Sequence, residues 1–181
     1  MTSAVVDRTG SSPVRSPARV VLTVGLTIAA LAAIALAAVW FAQLVLGMVP
    51  CPLCLEQRYA YYAAVPIGLI VAFAAWRGAP RGVLIAGLVV LAVLALGNAG
   101  LGVYHAGVEW KFWAGPTDCS GPLVDFSKAG GLLAQLDSVK VVRCDEVQGR
   151  FLGLSFAGYN VLLSLLLAAI AGWGIVRVRR A

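Results

Sequence analysis

The cysteines are the residues of this chain whose type and spacing could do chemistry. Cys51 and Cys54 are three positions apart in a Cys-Pro-Leu-Cys motif, whereas Cys119 and Cys144 are far apart in a polar stretch. A disulfide that closes so small a ring as the first pair constrains the unfolded chain little, which favours thiol–disulfide exchange over crosslinking. A disulfide across the wider interval could stabilise its loop by roughly 3 kcal/mol, so spacing alone leaves both roles open there.

Arg58 follows Cys54 at a spacing of four residues. Pro50 and Pro52 end the preceding apolar run, so Cys54 is expected near the first turn of a helix, where partial positive charge stabilises a thiolate. Arg58 is four residues further along and on the same helical face. Its cation could act on the thiol or bind an acceptor oxygen. The alternative is an arginine that extends to the lipid headgroups.

The elements that must position these residues are membrane spans. The chain of 181 residues is 61% hydrophobic and 12% charged, with a mean hydropathy of +0.91, which is more apolar surface than a soluble domain of this size can bury. The prediction is an all-α integral membrane four-helix bundle, in which a disordered tail (1–18) precedes one domain (19–181). Its spans cover about residues 20–49, 59–76, 83–104 and 152–176, with a long outer loop at 105–150.

Two segments of this prediction have alternative interpretations, the first apolar run and the long loop. The first apolar run is about twice as long as the core of a cleaved signal peptide, so it is interpreted as a retained span. Within the long loop, apolar residues between Leu123 and Leu136 indicate either a short amphipathic helix on the membrane surface or a loop packed on itself.

The charge distribution predicts which side of the membrane the cysteines face. Eight basic residues and one acid lie in the N-terminal tail, in the short link at 77–81 and at the C-terminus, whereas the two cysteine-bearing segments hold six basic residues and seven acids. Because basic short loops stay in the cytoplasm, both termini are expected inside and all four cysteines outside, where disulfides persist. The net charge of +6 therefore reflects membrane orientation, and no basic stripe with interleaved aromatic residues indicates nucleic-acid binding.

Electrons that leave a dithiol need an acceptor, and most acceptors can be excluded. The wide second pair and the single histidine do not fit zinc, iron–sulfur or bis-histidine haem ligation, so no metal is expected. Gly97, Gly100 and Gly102 lie inside the third span, where they are expected to permit close helix packing and not to bind a dinucleotide. A lipid-soluble acceptor remains, and a quinone is the obvious candidate.

The motifs resemble those of one known family. The Cys-Pro-Leu-Cys motif at 51–54 with Arg58 resembles the Cys-x-x-Cys and downstream arginine of the disulfide bond formation protein B (DsbB) family, and residues 144–154 and 102–119 resemble segments around its later cysteines. The resemblance implies a quinone-dependent protein-disulfide oxidoreductase of the bacterial inner membrane, multi-pass, with periplasmic cysteine loops. Such a protein reoxidises a periplasmic DsbA-like thioredoxin-fold oxidase and passes the electrons to ubiquinone or menaquinone.

The same resemblance implies a role for each cysteine. The partner's thiolate attacks Cys119 to give a mixed disulfide, and the released Cys144 communicates with Cys51. Cys54 is then expected to be the thiolate that faces the quinone.

Three further residues are implied in binding the quinone. Arg58 is expected to polarise a quinone oxygen, and Phe156 falls where the family often has an apolar residue that lines the quinone site. His105 lies near a loop histidine that the family links to this site, although an interfacial histidine without chemistry is the alternative. Pro52, as the second residue of the motif, departs from the family and bears on the redox potential.

Two other functions compete with this interpretation. A vitamin K epoxide reductase-like quinone reductase would carry its Cys-x-x-Cys late, in the final span region, whereas here the motif opens the second span. A structural four-span protein with disulfide-stapled outer loops would hold its cysteines oxidised whatever the state of the quinone.

Overall fold

Four long helices run through the residues that the computed structural model describes, which are 17–116, 143–147 and 149–181. They are α1 (Pro17–Leu44), α2 (Pro52–Trp76), α3 (Arg81–Glu109) and α4 (Phe156–Arg180), and the hairpin of β1 (Arg150–Phe151) and β2 (Leu154–Ser155) precedes α4. Each helix is long and apolar enough to cross a membrane. The predicted all-α membrane bundle is confirmed.

The helix ends differ from the predicted spans because the turns are made by polar residues and glycine. α1 ends at Leu44, short of the predicted position 49, since Gly47 has a φ of 66° and the Met48 N–H bonds back to the Ala42 carbonyl. α2 begins at Pro52, seven residues before the predicted span, because polar residues after the Cys-Pro-Leu-Cys motif form its first turns.

The other ends shift by smaller amounts. α1 begins at Pro17, inside the tail that was predicted to reach residue 18, and α3 continues to Glu109, beyond the predicted end at 104. α4 begins at Phe156, after the hairpin, and not at the predicted residue 152. Cys119 and the predicted amphipathic segment between Leu123 and Leu136 lie outside the described residues.

The start of α2 and the start of α4 are fixed by side-chain caps. Cys51 is the N-cap of α2, where its sulfur accepts the Cys54 backbone N–H, and Pro52 takes the first helical position. Ser155 caps α4 by accepting the Gly158 N–H at 3.2 Å. The short links make α1, α2 and α3 antiparallel in turn, and α4 is antiparallel to α3 because Gly102 meets Val161 whereas Gly174 meets Leu88. The C-termini of α1 and α3 and the N-termini of α2 and α4 therefore share one end of the bundle, called the cysteine end below.

Glycines let α1 and α2 approach closely at their crossing. A Cβ built on Gly25 would lie 2.7 Å from the Gly68 carbonyl oxygen, and one on Gly68 would lie 2.8 Å from the Gly25 carbonyl oxygen. In α3, Gly102 likewise faces Val161 at 2.8 Å, whereas a Cβ on Gly97 or Gly100 would meet open space. The expectation of close packing is thus correct for Gly102 and wrong for the other two glycines.

We expect Gly25→Ala to destabilise the bundle by about 1–3 kcal/mol, because the added methyl group meets backbone atoms of α2 and forces the helices apart. Gly97→Ala is the matched control, since its methyl group meets nothing and alanine favours helix by roughly 0.5–1 kcal/mol. Thermal unfolding of both variants in the same detergent checks the difference. Equal stability of the Gly25→Ala variant and the wild type would contradict this packing.

A buried polar network joins α2, α3 and α4 in the apolar core. Tyr61 Oη donates to Asn160 Oδ1 at 2.6 Å, and Asn98 Nδ2 donates at 3.0 Å to both Asn160 Oδ1 and Ser164 Oγ. Polar groups at this depth need partners within the protein. The network therefore fixes the mutual rotation of three helices just below the cysteine end.

Candidate active site

Cys51 and Cys144 meet at the cysteine end of the bundle. Both are 1% exposed and pack with Leu53 and Val108 in one buried cluster, with Cys54 beside them. Cys51 and Cys54 are free thiols, whereas Cys144 is disulfide-bonded. The structure thus brings three of the four candidate cysteines together.

Three hydrogen-bonding groups converge on the sulfur of Cys51. This sulfur lies 2.8 Å from Cys54 Sγ, 3.3 Å from the Cys54 backbone nitrogen and 3.6 Å from His105 Nε2. The hydrogen bond with the Cys54 thiol lowers the pKa of Cys51 from 9.0 to about 5, against the opposing effect of burial and with support from His105. The geometry therefore favours a thiolate on Cys51, whereas the resemblance implied one on Cys54.

His105 is held in place by Gln57. Gln57 Nε2 lies 2.8 Å from His105 Nδ1, and both side chains are buried. Because an amide nitrogen is a donor, Nδ1 accepts and the ring proton of the neutral histidine is on Nε2, which faces Cys51. This tautomer follows from the hydrogen-bond network. Gln57 thus orients the donor that His105 offers to the Cys51 thiolate.

Arg58 is buried and bonds to a side chain of α1. Its Nη1 donates to Gln43 Oε1 on α1 at 2.8 Å, and its guanidinium carbon lies 5.9 Å from the centre of the Trp40 ring. The side chain is 8% exposed, and within the described residues no carboxylate lies at ion-pair distance from it. A neutral amide and an aromatic face leave this cation available to a further oxygen acceptor.

These side chains surround a cavity of about 390 Å³. Cys51, Cys54, Arg58 and His105 lie on its polar side, and Phe156 is part of the wall. The remaining wall is mainly apolar, and its aliphatic members come from α1 and α4 (Ala35, Ala38, Val39, Ala42, Ala157 and Leu163). A largely apolar pocket with a few converging polar groups is the usual form of a small-molecule site, and its volume lies within the common range of about 300–1,000 Å³.

Comparisons with known proteins agree on one family. The model of the disulfide bond formation protein DsbB family matches residues 21–174. The chain belongs to the DsbB family. A disulfide bond formation protein B of Marinobacter nauticus is 32% identical over 153 residues, which are 78% of this chain and 84% of that protein. A disulfide bond formation protein B of Polaromonas is 28% identical over 172 residues, which are 91% of this chain and 92% of that protein.

Membership in the DsbB family makes the protein a multi-pass membrane oxidoreductase of disulfide bond formation. Family membership also favours redox chemistry over metal binding for the cluster of Cys51, Cys54 and His105. The ligating atoms of Cys51, Cys54 and His105 lie within 4.8 Å of one another. However, two thiolates on one tetrahedral zinc ion would be about 3.8 Å apart, given Zn–S bonds of about 2.3 Å, whereas these sulfurs are 2.8 Å apart. We interpret Cys51 and Cys54 as a redox pair that alternates between dithiol and disulfide, not as ligands of a metal ion.

Three residues of this DsbB-family site were missed in the sequence. Gln57 could have been found, because it is three residues after Cys54 and therefore on the same face of α2. Gln43 is a lone amide near the end of the first apolar run, which also marks it. Glu109 gave no signal, since the sequence placed it in the loop and not at the end of α3.

Proposed function

We propose that the protein is a thiol oxidase of the bacterial inner membrane that reoxidises a soluble DsbA-like thioredoxin-fold partner and transfers the electrons to membrane quinone. The observation that carries this proposal is a reduced cysteine pair that opens onto an apolar cavity beside a buried arginine and a disulfide-bonded third cysteine. Both termini are placed in the cytoplasm and the cysteine end in the periplasm, on the charge asymmetry of the chain.

Electrons enter at the wide pair, for which we propose a Cys119–Cys144 disulfide. The thiolate of the partner attacks Cys119, and the second thiol of the partner completes its own disulfide and leaves both loop cysteines reduced. Cys144 then attacks Cys51 in the Cys51–Cys54 disulfide, which forms a Cys51–Cys144 bond and releases Cys54. The burial of Cys51 and Cys144 in one cluster supports this contact.

The environment of Cys51 suits it to be the leaving group of the next exchange. Cys119 attacks Cys144, the loop disulfide re-forms, and Cys51 departs as a thiolate. A thiol with a lowered pKa leaves faster, and the pKa of Cys51 is lowered to about 5. The net result is an oxidised loop pair and a reduced Cys51–Cys54 pair, which is the state of Cys51, Cys54 and Cys144 in the structure.

Electrons leave through the cavity. A quinone, ubiquinone or menaquinone, would supply an acceptor for two electrons and two protons. Arg58 would bind an acceptor oxygen, the apolar wall that includes Phe156 would hold the ring, and the Cys51 and Cys54 sulfurs would join as the disulfide.

Thiol trapping tests the proposed function. The purified protein is incubated with a reduced DsbA-like partner, with or without ubiquinone-1 or menadione, and its free thiols are then labelled and counted by mass. We expect two thiols, at Cys51 and Cys54, to accumulate with the partner alone and to disappear when a quinone is added. Cysteines that stay oxidised under both conditions would instead support a structural protein with disulfide-stapled loops.

The thiolate of Cys51 should be visible in its pH dependence. Because the pKa of Cys51 is lowered to about 5, most of this thiol is ionised at pH 7, and its alkylation by iodoacetamide should slow only as the pH falls through about 5. His105→Ala removes a donor to the sulfur, so its midpoint should move to higher pH, whereas the exposed Glu56→Gln should keep the wild-type profile. Site-resolved mass spectrometry measures the rates, and identical profiles in all three proteins would contradict the role of His105.

A further inference from the structure

Glu109 is an acid with a buried side chain that the exchange steps above do not use. It ends α3 one turn after His105, and its Oε1 lies 4.0 Å from His105 Nε2. Its side chain is 5% exposed, and Oε2 has no hydrogen-bond partner in the part of the chain that the structure describes. Glu109 also lines the cavity that contains Cys51 and Cys54.

This position is unfavourable for a carboxylate that serves only the fold. An ionised acid at the C-terminal end of a helix faces the negative end of the helix dipole. Burial adds a cost when one oxygen lacks a donor, and buried polar atoms without partners call for an explanation. A proton on the carboxyl group removes the buried charge, so the site suits a group that gains and loses a proton.

We propose that Glu109 is the proton-relay residue of this site, which, beside His105, takes up the proton that Cys51 gives up and returns it to the acceptor in the cavity. Delivery of the proton to the acceptor rests on the proposed function, whereas uptake of the Cys51 proton by Glu109 does not. In the reduced pair, Cys51 is a thiolate, Cys54 is a thiol and Glu109 is a carboxylic acid.

The steps balance in atoms and electrons. On oxidation, the S–S bond forms between Cys51 and Cys54, two electrons leave, and two protons leave with them, one from the Cys54 thiol and one from Glu109. A quinone takes both electrons and both protons and becomes a quinol, and Glu109 remains as a carboxylate. Exchange with the loop dithiol then returns two electrons and two protons to the site, and one of these protons reloads Glu109.

Other ionisable groups on the cavity wall are less suited to this role. They are Cys54, Arg58, Tyr61, Glu146 and Tyr159. Cys54 gives its own proton, and the guanidinium of Arg58 is a hydrogen-bond donor only. The hydroxyl protons of Tyr61 and Tyr159 are donated to Asn160 and to the Phe151 carbonyl, and Glu146 is exposed.

Infrared difference spectroscopy tests the proton on Glu109 without quinone. The protein is reduced by dithiothreitol and oxidised by diamide, and the two spectra are subtracted. We expect a carboxylic acid C=O band that appears on reduction, is absent in Glu109→Gln and persists in Glu109→Asp and in the exposed control Glu56→Gln. A band that persists in Glu109→Gln, or no carboxylic acid band in the wild type, would overturn the proposal.

Quinone reduction then tests the delivery of the proton from Glu109 to the acceptor. In single-turnover reduction of ubiquinone-1 by the prereduced protein, Glu109→Gln should be about 100- to 10,000-fold slower, as expected when general acid catalysis is lost, and Glu109→Asp should recover part of the rate. The exposed control Glu56→Gln should keep the wild-type rate. A wild-type rate in Glu109→Gln would overturn the relay, whereas a wild type that does not reduce ubiquinone-1 or menadione would refute the proposed function and leave the infrared result valid.

Discussion

Cys54→Ser will lose electron transfer to quinone by a factor of 1,000 or more, on the order of what removing a covalent catalytic group costs. Without the Cys54 sulfur, the tight pair has no disulfide to form, so no second electron can leave with the first. Single-turnover reduction of ubiquinone-1 by the prereduced variant measures the loss. Retention of the wild-type rate would refute the proposed route.

The same variant should also accumulate a diagnostic crosslink. Cys51 shares a buried cluster with disulfide-bonded Cys144. When Cys54 is absent, the Cys51 thiolate should attack Cys144, break the proposed Cys119–Cys144 disulfide, release Cys119 as a thiolate and remain bonded to Cys144. Peptide mapping under non-reducing conditions should detect the Cys51–Cys144 bond.

Cys119→Ser is the matched control for the loss of quinone reduction in Cys54→Ser. It blocks entry of electrons from the partner but should leave quinone reduction by the chemically reduced Cys51–Cys54 pair intact.

Hydropathy and motif spacing carried the prediction as far as the membrane bundle and the tight cysteine pair. Both are properties of local sequence, since a span depends on its own apolar length and the pair on its own three-residue spacing. The helix ends were harder, because the polar residues that open α2 indicate a loop when they are considered alone. In the structure, they form helix because Cys51 and Pro52 cap it.

The partners of the site residues depend on how the helices are rotated against one another, which the sequence does not specify. Helical spacing placed Arg58 one turn after Cys54, but it could not predict the bond of Arg58 to Gln43, which depends on how α2 packs on α1. His105 was found only through the family resemblance, and its contact with Cys51 arises because the end of α3 packs on the start of α2. Glu109 also belongs to this packed end of α3, because α3 continues one turn further than its apolar run indicates.

Arg58→Met will weaken the reaction with quinone about 10- to 150-fold in kcat/KM, mainly through KM. A hydrogen bond between a charged donor and a buried acceptor contributes about 1.5–3 kcal/mol, which corresponds to this range. Methionine keeps most of the apolar volume but cannot bind the acceptor oxygen. Arg58→Lys should be intermediate, because an ammonium lacks the planar fork that can bond Gln43 and a second oxygen together.

The control for Arg58→Met is an arginine with similar aromatic contact at the opposite end of the same helix. Arg77 follows α2, and its guanidinium carbon lies 6.0 Å from the centre of the Phe73 ring, far from the cysteine end. Arg77→Met should therefore leave the KM for ubiquinone-1 unchanged, and both variants should exchange disulfides with the partner at the wild-type rate. If Arg58→Met also left the KM unchanged, the buried cation would serve the packing of α1 on α2 and the acceptor would bind elsewhere.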